Sequence, residues 1–255
     1  MPAPFLLLQL SDTHIGADWG TGDPTSDLEA AVASVTRLPD PPDAVLVSGD
    51  IANGGTDDQY AQAGELLDRL SAPVYVMAGN HDDREALRRN FALPGAGDEP
   101  VQYAVDLGAV RLVVIDTTRP GEDAGELDEE RLEWLEDALA EASDQPTVLA
   151  LHHPPLVTGI APWDATALTA EHRRALADVL SAHPQVRLLT AGHVHRSIVS
   201  TFDGRPLLTV PSTHAQAKLQ FGSPDLELVS EPPAYAVHSV VGGDVVSHMQ
   251  PVALG

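Results

Sequence analysis

An α/β fold with mixed sheets is the architecture this sequence predicts, and three observations predict it. Short apolar runs of strand length alternate with segments whose apolar residues recur at helical spacing. Gly, Pro, Asp and Asn bound the runs, as they do where strands end and turns begin. Near the middle, Tyr103 to Ile115 reads as an antiparallel meander, so the sheets are not wholly parallel.

In chain order, Phe5-Leu6-Leu7-Leu8-Gln9-Leu10 is a nearly continuous apolar run that suits a buried strand. It is too short to span a membrane, no basic residue precedes it, and it leads directly into Asp12. A cleaved signal peptide is therefore not expected, and the cytoplasm is the expected location. Further strands are expected at 44–48, 74–77, 101–106, 110–115, 147–151, 186–191, 197–201 and 207–210. A last pair, 234–240 and 245–249, flanks Gly242-Gly243 as a hairpin. Helical spacing fills three of the gaps. Segment 57–70 carries Tyr60, Leu66, Leu67 and Leu70; 127–142 carries Leu127, Leu132, Leu135 and Leu139; 169–181 carries Leu176, Val179 and Leu180 behind Thr169 as N-cap. Residues 83–90 form a shorter helical segment. There is no internal repeat, heptad or low-complexity stretch, and the Pro and Gly clusters at 39–42 and 95–100 have the length of connections. One domain over residues 1–255 is the simplest reading.

The chain has no cysteine, which excludes disulfides and thiolate metal sites, so any metal must be held by oxygen and imidazole. Its 38 acidic residues outnumber 14 basic ones, for a net charge of −24, and Lys218 is the only lysine. Such a surface repels nucleic acid and anionic lipid. A small anionic substrate would need a local positive centre.

Five segments, each following an apolar run, supply the chemistry: Asp12-Thr13-His14, Gly49-Asp50-Ile51-Ala52-Asn53, Gly79-Asn80-His81-Asp82, His152-His153-Pro154-Pro155 and Gly192-His193-Val194-His195. Positions i and i+2 face the same way at the end of a strand, so Asp12 with His14, and His193 with His195, can converge on one ion. Gly49 permits a sharp exit from its strand, and the carboxylate of Asp50 can give one oxygen to each of two ions. Asn80 offers a neutral oxygen ligand, and His81 can point into the site without binding metal. Asp82 either orients His81 or caps the helix that follows. Only one of His152 and His153 need be a ligand, and the two prolines stiffen the loop after them. Taken singly, most of these are also what a turn or a helix cap looks like. Together they draw on six of the chain's 11 histidines and on aspartates at strand ends, and a shared site is the better account. His172, His183, His238 and His248 lie in helical or sheet patterns without partners and are read as structural or exposed.

The motif order D-x-H, G-D-x-x-N, G-N-H-D, H-x-P, G-H-x-H across residues 12–195 resembles the calcineurin-like metallophosphoesterases. Leu132-Glu133-Trp134-Leu135-Glu136, the His-Pro-Pro run and Val210-Pro211-Ser212-Thr213 are similar to the branch holding class III cyclic nucleotide phosphodiesterases and glycerophosphodiesterases. The resemblance implies a four-layer αββα sandwich with two mixed β-sheets. It also implies two divalent ions drawn from iron, manganese, zinc and cobalt, one held by Asp12, His14 and His195, the other by Asn80, His152 and His193, with Asp50 shared. His81 matches the family's catalytic histidine, and Asn53 a polar position near the site. The segment 159–168, with Trp163-Asp164, stands where relatives carry a loop near the substrate, and His214, which follows a strand and is a further candidate to line the substrate pocket, stands where relatives often have cysteine. Trp163 could stack on a nucleobase or cover the pocket wall. The implied activity is hydrolysis of a small phosphodiester, of 3′,5′-cyclic nucleotide or glycerophosphodiester type, with no membrane or long nucleic acid as partner and homo-oligomers open. A phosphomonoesterase or nuclease would use the same donors. A non-catalytic scaffold would be expected to lack some of them, and here every position is filled.

Overall fold

A computed structural model describes residues 3–20 and 22–252. Along the chain run β1 (Phe5–Leu10), α1 (Pro24–Thr36), β2 (Ala44–Val47), α2 (Asp57–Leu67), β3 (Val74–Val76), α3 (Arg84–Phe91), β4 (Tyr103–Asp106) and β5 (Arg111–Ile115). There follow α4 (Glu129–Ala140), β6 (Thr147–Leu151), α5 (Ala161–Thr166), α6 (Ala170–Ser181), β7 (Val186–Ala191), β8 (Ile198–Phe202), β9 (Arg205–Thr209), β10 (Gln216–Ala217), β11 (Leu228–Val229), β12 (Ala234–Val241) and β13 (Asp244–Pro251).

Two mixed sheets result. One is ordered β13-β12-β1-β2-β3, parallel across β1, β2 and β3 and antiparallel beyond. The other is ordered β4-β5-β6-β7-β9-β8, parallel from β5 to β9, with antiparallel edges. Alternation along the strands assigns their faces. Leu8, Leu10, Val45 and Val47 pack with Leu28, Val32, Tyr60 and Leu87 of α1, α2 and α3. Val113, Ile115, Leu149 and Leu151 pack with Leu135, Leu139, Leu176 and Leu180 of α4 and α6. The opposite faces, with Leu7, Leu46, Leu112, Val114, Val148 and Ala150, meet each other. The fold is thus the four-layer αββα sandwich, and burial of both strand faces explains why the strands read as unbroken apolar runs.

A polar cluster lies in the seam between the sheets. Gln9 on β1 gives its amide to Ser48 Oγ (2.7 Å), while its Oε1 accepts from Thr190 on β7 and from His238 Nε2 on β12 (3.0 Å). All four residues are fully buried, and their hydrogen bonds offset the cost of that burial.

Several boundaries differ from the sequence reading, each for a local reason. It places no helix where α1 forms, although Asp23 caps the helix through Ser26 N and Pro24 fits its first turn. Alanines on both faces blur the apolar contrast there. The expected strand 101–106 starts at Tyr103, because Val101 N donates to Asp116 Oδ2 (2.7 Å) instead of a ladder partner. The expected helix 127–142 starts at Glu129, because Asp128 is its N-cap. Among the described residues no helix is long and apolar enough to cross a membrane.

Candidate metal centre

The donors sit at the C-terminal ends of parallel strands, where α/β sheets place their sites. Asp12 and His14 follow β1, Asp50 follows β2, Asn80 follows β3, His152 follows β6, and His193 and His195 follow β7. Both sheets therefore contribute. Of the seven non-glycine residues with positive φ among the described residues, five are Asp12, His14, Asp50, His193 and His195. Such backbone is costly for residues with a Cβ and persists where the surroundings impose it. Gly49 belongs to the same device: at φ +90° its backbone lies so close to His152 that a Cβ would stand 2.5 Å from Nδ1.

Two groups of ligand atoms form, Asp12–His14–Asp50–His195 and Asp50–His152–His193, sharing Asp50. Within them, His14 Nε2 and His195 Nε2 are 3.0 Å apart, and Asp50 Oδ2 is 3.5 Å from His14 Nε2 and 3.3 Å from His152 Nε2. Asn80 Oδ1 lies 3.1 Å from His152 Nε2 and 3.0 Å from His193 Nδ1. Donors bound to a common ion at ordinary bond lengths lie roughly 3.0–3.5 Å apart, so the spacing suits shared cations. The outer ring nitrogens support this use. His152 Nδ1 donates to Ser48 O (2.9 Å) and His195 Nδ1 to Ala215 O (2.8 Å), which turns each Nε2 lone pair inward. Thr166 Oγ1 meets His193 Nε2 at 3.0 Å and leaves Nδ1 to face Asn80.

Electrostatics point the same way. Burial holds His14 and His193 well below the usual histidine range and pushes His195 down to about 4, so all three are neutral donors. Burial also pushes Asp12 up to about 7, with the nearby charge of Asp50 adding to it. Burial disfavours a proton on His152, yet the charge and hydrogen bond of Asp50 prevail and push it up to about 9. Asp50, opposed by burial but faced by His152 and His14, stays well below the carboxylate range. Two buried carboxylates that draw a proton onto His152, with the neutral imidazoles of His14, His193 and His195 and oxygen and nitrogen donors only, are the environment of a hard or borderline divalent cation.

His81 sits over this centre. Its ring meets that of His14 edge-on at 4.8 Å, its amide donates to Asp50 Oδ1 (2.9 Å), and its Nδ1 lies 3.1 Å from Asn53 O. Asp82 does neither task considered for it: Asp83 caps α3. The half-buried Asp82 instead accepts through its carboxylate from Ile51 N, Ala52 N (3.0 Å), Gly79 N (2.8 Å) and Tyr60 OH (3.0 Å), tying the Asp50 and Asn80 loops together. His153 is turned away, between Thr117 Oγ1 (2.9 Å) and Asp123 O (3.1 Å), and burial pushes its pKa down to about 3.

A cavity of about 340 Å³ opens over the centre. His14, Asp50, Asn80, His81, His193 and His195 form its floor, and Trp19, Pro162, Trp163, Leu226 and Leu228 its walls. Trp163, on α5, lies 5.7 Å from the His195 ring at 27°. Three other residues considered for substrate contact are placed behind the wall. Asn53 Oδ1 accepts from Trp19 Nε1 (3.1 Å), Asp164 accepts from the amides of Thr158 (2.7 Å) and Gly159 (3.0 Å), and His214 lies between Asp27 Oδ2 (2.7 Å) and Trp19 O (2.9 Å). Asn53 and His214 thus act on Trp19, a wall residue that the sequence reading passed over. Trp19 lies in a Gly-flanked stretch with no periodicity, and only its closeness to Asp12-x-His14 could have drawn notice.

The model of the calcineurin-like phosphoesterase family matches residues 5–197. This chain belongs to that family. Among curated relatives, the glycerophosphodiester phosphodiesterase GpdQ of Enterobacter lignolyticus is 32% identical, over 97% of this chain and 91% of its own length. The 3′,5′-cyclic adenosine monophosphate phosphodiesterase CpdA of Pseudomonas aeruginosa is 33% identical, over 91% of this chain and 84% of its own. Among solved structures, the purple acid phosphatase PPD1 from yellow lupin superposes with a TM-score of 0.70 at 13% identity, over 100% of this chain and 52% of that one, a likeness of fold alone. The family brings divalent-metal phosphoester chemistry, and the buried Asp/His cluster fits it.

Proposed function

We propose that the chain is a single-domain, cytoplasmic phosphodiesterase with two divalent ions, hydrolysing small phosphodiesters of 3′,5′-cyclic nucleotide or glycerophosphodiester type. The observation that carries this reading is the pair of donor groups sharing Asp50 beneath a cavity of about 340 Å³, with His81 beside them. Asp12, His14 and His195 would hold one ion, Asn80, His152 and His193 the other, and Asp50 both. Bound there, manganese, iron, zinc or cobalt would lower the pKa of water toward ~7 and neutralise phosphoryl oxygens.

The protein's own part is positioning and proton handling. His81 keeps one ring nitrogen on Asn53 O, which fixes the ring, and offers the other to the departing ester oxygen. The walls exclude water around the ester, and the net charge of −24 disfavours nucleic acid tracks. Relatives named as diesterases support the diester over the monoester.

The test is a panel of cyclic AMP, a glycerophosphodiester, a phosphomonoester and single-stranded DNA, assayed with manganese, zinc and iron in turn. Small diesters should be the best substrates, and His81→Ala should lower kcat by about 10²–10⁴. Full turnover in that variant, or preference for the monoester or DNA, would overturn the reading.

A further inference from the structure

A second cavity, of about 260 Å³, adjoins the first and shares Asn80 and His81 with it. Its walls are of the opposite character. Gly54, Gly55, Asp83, Asp98, Thr118 and Arg119 line it, where the first cavity presents two indoles, a proline and two leucines. Its frame is firmly held. Arg84 pairs with Asp116 at 2.9 Å, both buried, and Asp116 Oδ1 accepts from Thr118 N and Oγ1, each at 2.7 Å.

Arg119 stands out in this frame. Arg84 is engaged by Asp116, Arg88 by the carbonyls of residues 94–100, and Arg89 by Asp57. Among the described residues the Arg119 guanidinium has neither an ion pair nor a hydrogen bond. In a chain with 38 carboxylates, it is a cation left open at the mouth of a cavity that includes His81.

We infer that the centre is served by a two-armed cleft: an aromatic arm between Trp19 and Trp163 receives a planar or apolar ester group, and a polar arm at Arg119 receives a small hydroxylated one. This rests on the phosphodiesterase reading and names its substrate class, open-chain diesters with one apolar and one polyol arm. The physical reason is desolvation. An apolar group in the polar arm would strip water from Arg119, Asp83 and Asp98 without replacing its hydrogen bonds. A polyol hydroxyl can donate to a carboxylate and accept from a guanidinium. On the other side, an aryl group buries area against two indoles, and a methyl group leaves them wet.

Four diesters test it: benzyl glyceryl, benzyl propyl, methyl glyceryl and methyl propyl phosphate, with metal-loaded wild type, Arg119→Ala and Trp163→Ala. Wild type should prefer glyceryl over propyl and benzyl over methyl, each by about tenfold or more in kcat/KM. Arg119→Ala should bring the glyceryl/propyl ratio toward one while keeping the benzyl/methyl ratio, and Trp163→Ala should do the reverse. The phosphinate isostere of benzyl glyceryl phosphate, with CH2 in place of both ester oxygens, gives a binding readout: its quenching of tryptophan fluorescence should weaken about tenfold in each variant. Absence of either preference in wild type, or the same loss of both ratios in both variants, would overturn the cleft alone if bis(4-nitrophenyl) phosphate is still hydrolysed. Inertness toward all five diesters would overturn the phosphodiesterase reading with it.

Discussion

The carboxylate of Asp82 receives three backbone amides and a phenol, and through them it sets the spacing of the Asp50 and Asn80 loops. Asn at this position would turn an NH2 group toward N–H donors, so Asp82→Asn should destabilise the fold by roughly 2–4 kcal/mol and lower turnover as well. Tyr60→Phe removes one of these four donors, together with the acceptor for Asp83 N (2.9 Å), and should cost about 1–2 kcal/mol. Urea unfolding of both variants checks the order, and equal losses would count against the role given to Asp82. His238 makes a second case, remote from the donors. Burial holds its pKa down to about 4, against 6.5 for an ordinary histidine. Between those values the unfolded chain binds the extra proton, so its contribution is fully present above pH 6.5 and is lost as pH falls toward 4, on the order of 3 kcal/mol in all. Stability measured across that window should slope less steeply in His238→Gln than in wild type. Residue roles of this kind were only partly legible in sequence. The strand-end motifs could be read because ligand chemistry limits the residue types, whereas Asp82 and Trp19 depend on distant partners such as Tyr60, Asn53 and His214, 22, 34 and 195 positions away.

At the scale of elements, legibility followed apolar contrast and length. β1, β6 and β7 match their expected bounds residue for residue, because burial on both faces leaves long apolar runs ended by polar donors. α5, with six residues, is too short to show a period, and β10 and β11, with two residues each, exist only through a pairing 11 to 13 positions apart. Of these, α5 and β11 give Pro162, Trp163 and Leu228 to the cavity wall, so the floor of the site could be read and, of its walls, only Trp163. The same sheet also contains strands of unequal weight. Leu8 on β1 is fully buried, and Val246 on edge strand β13 is 51% exposed. Leu8→Ala should cost about 2–5 kcal/mol by leaving a void in the first core. Val246→Ala should stay within about 0.5 kcal/mol, a contrast that thermal unfolding of the pair measures directly.

For the molecule as a whole, the charge of −24 is the dominant long-range property. Self-repulsion on this scale weakens the compact state and is screened by salt. The unfolding midpoint should therefore rise by a few degrees between about 10 and 200 mM sodium chloride. A midpoint that stays flat or falls would show that the acidic residues are locally compensated. The sandwich itself followed from family resemblance rather than from composition or periodicity, since alternation of strands and helices predicts only mixed α/β layers.

Asp12, His14, Asp50 and Asn80 extend from one sheet, and His152, His193 and His195 from the other. Any ion gripped by both sets acts as a rivet through the sandwich. Chelators should then work as mild denaturants of this protein, prying the halves open at the catalytic end first, while the clasp made by Gln9, Thr190 and His238 holds until last.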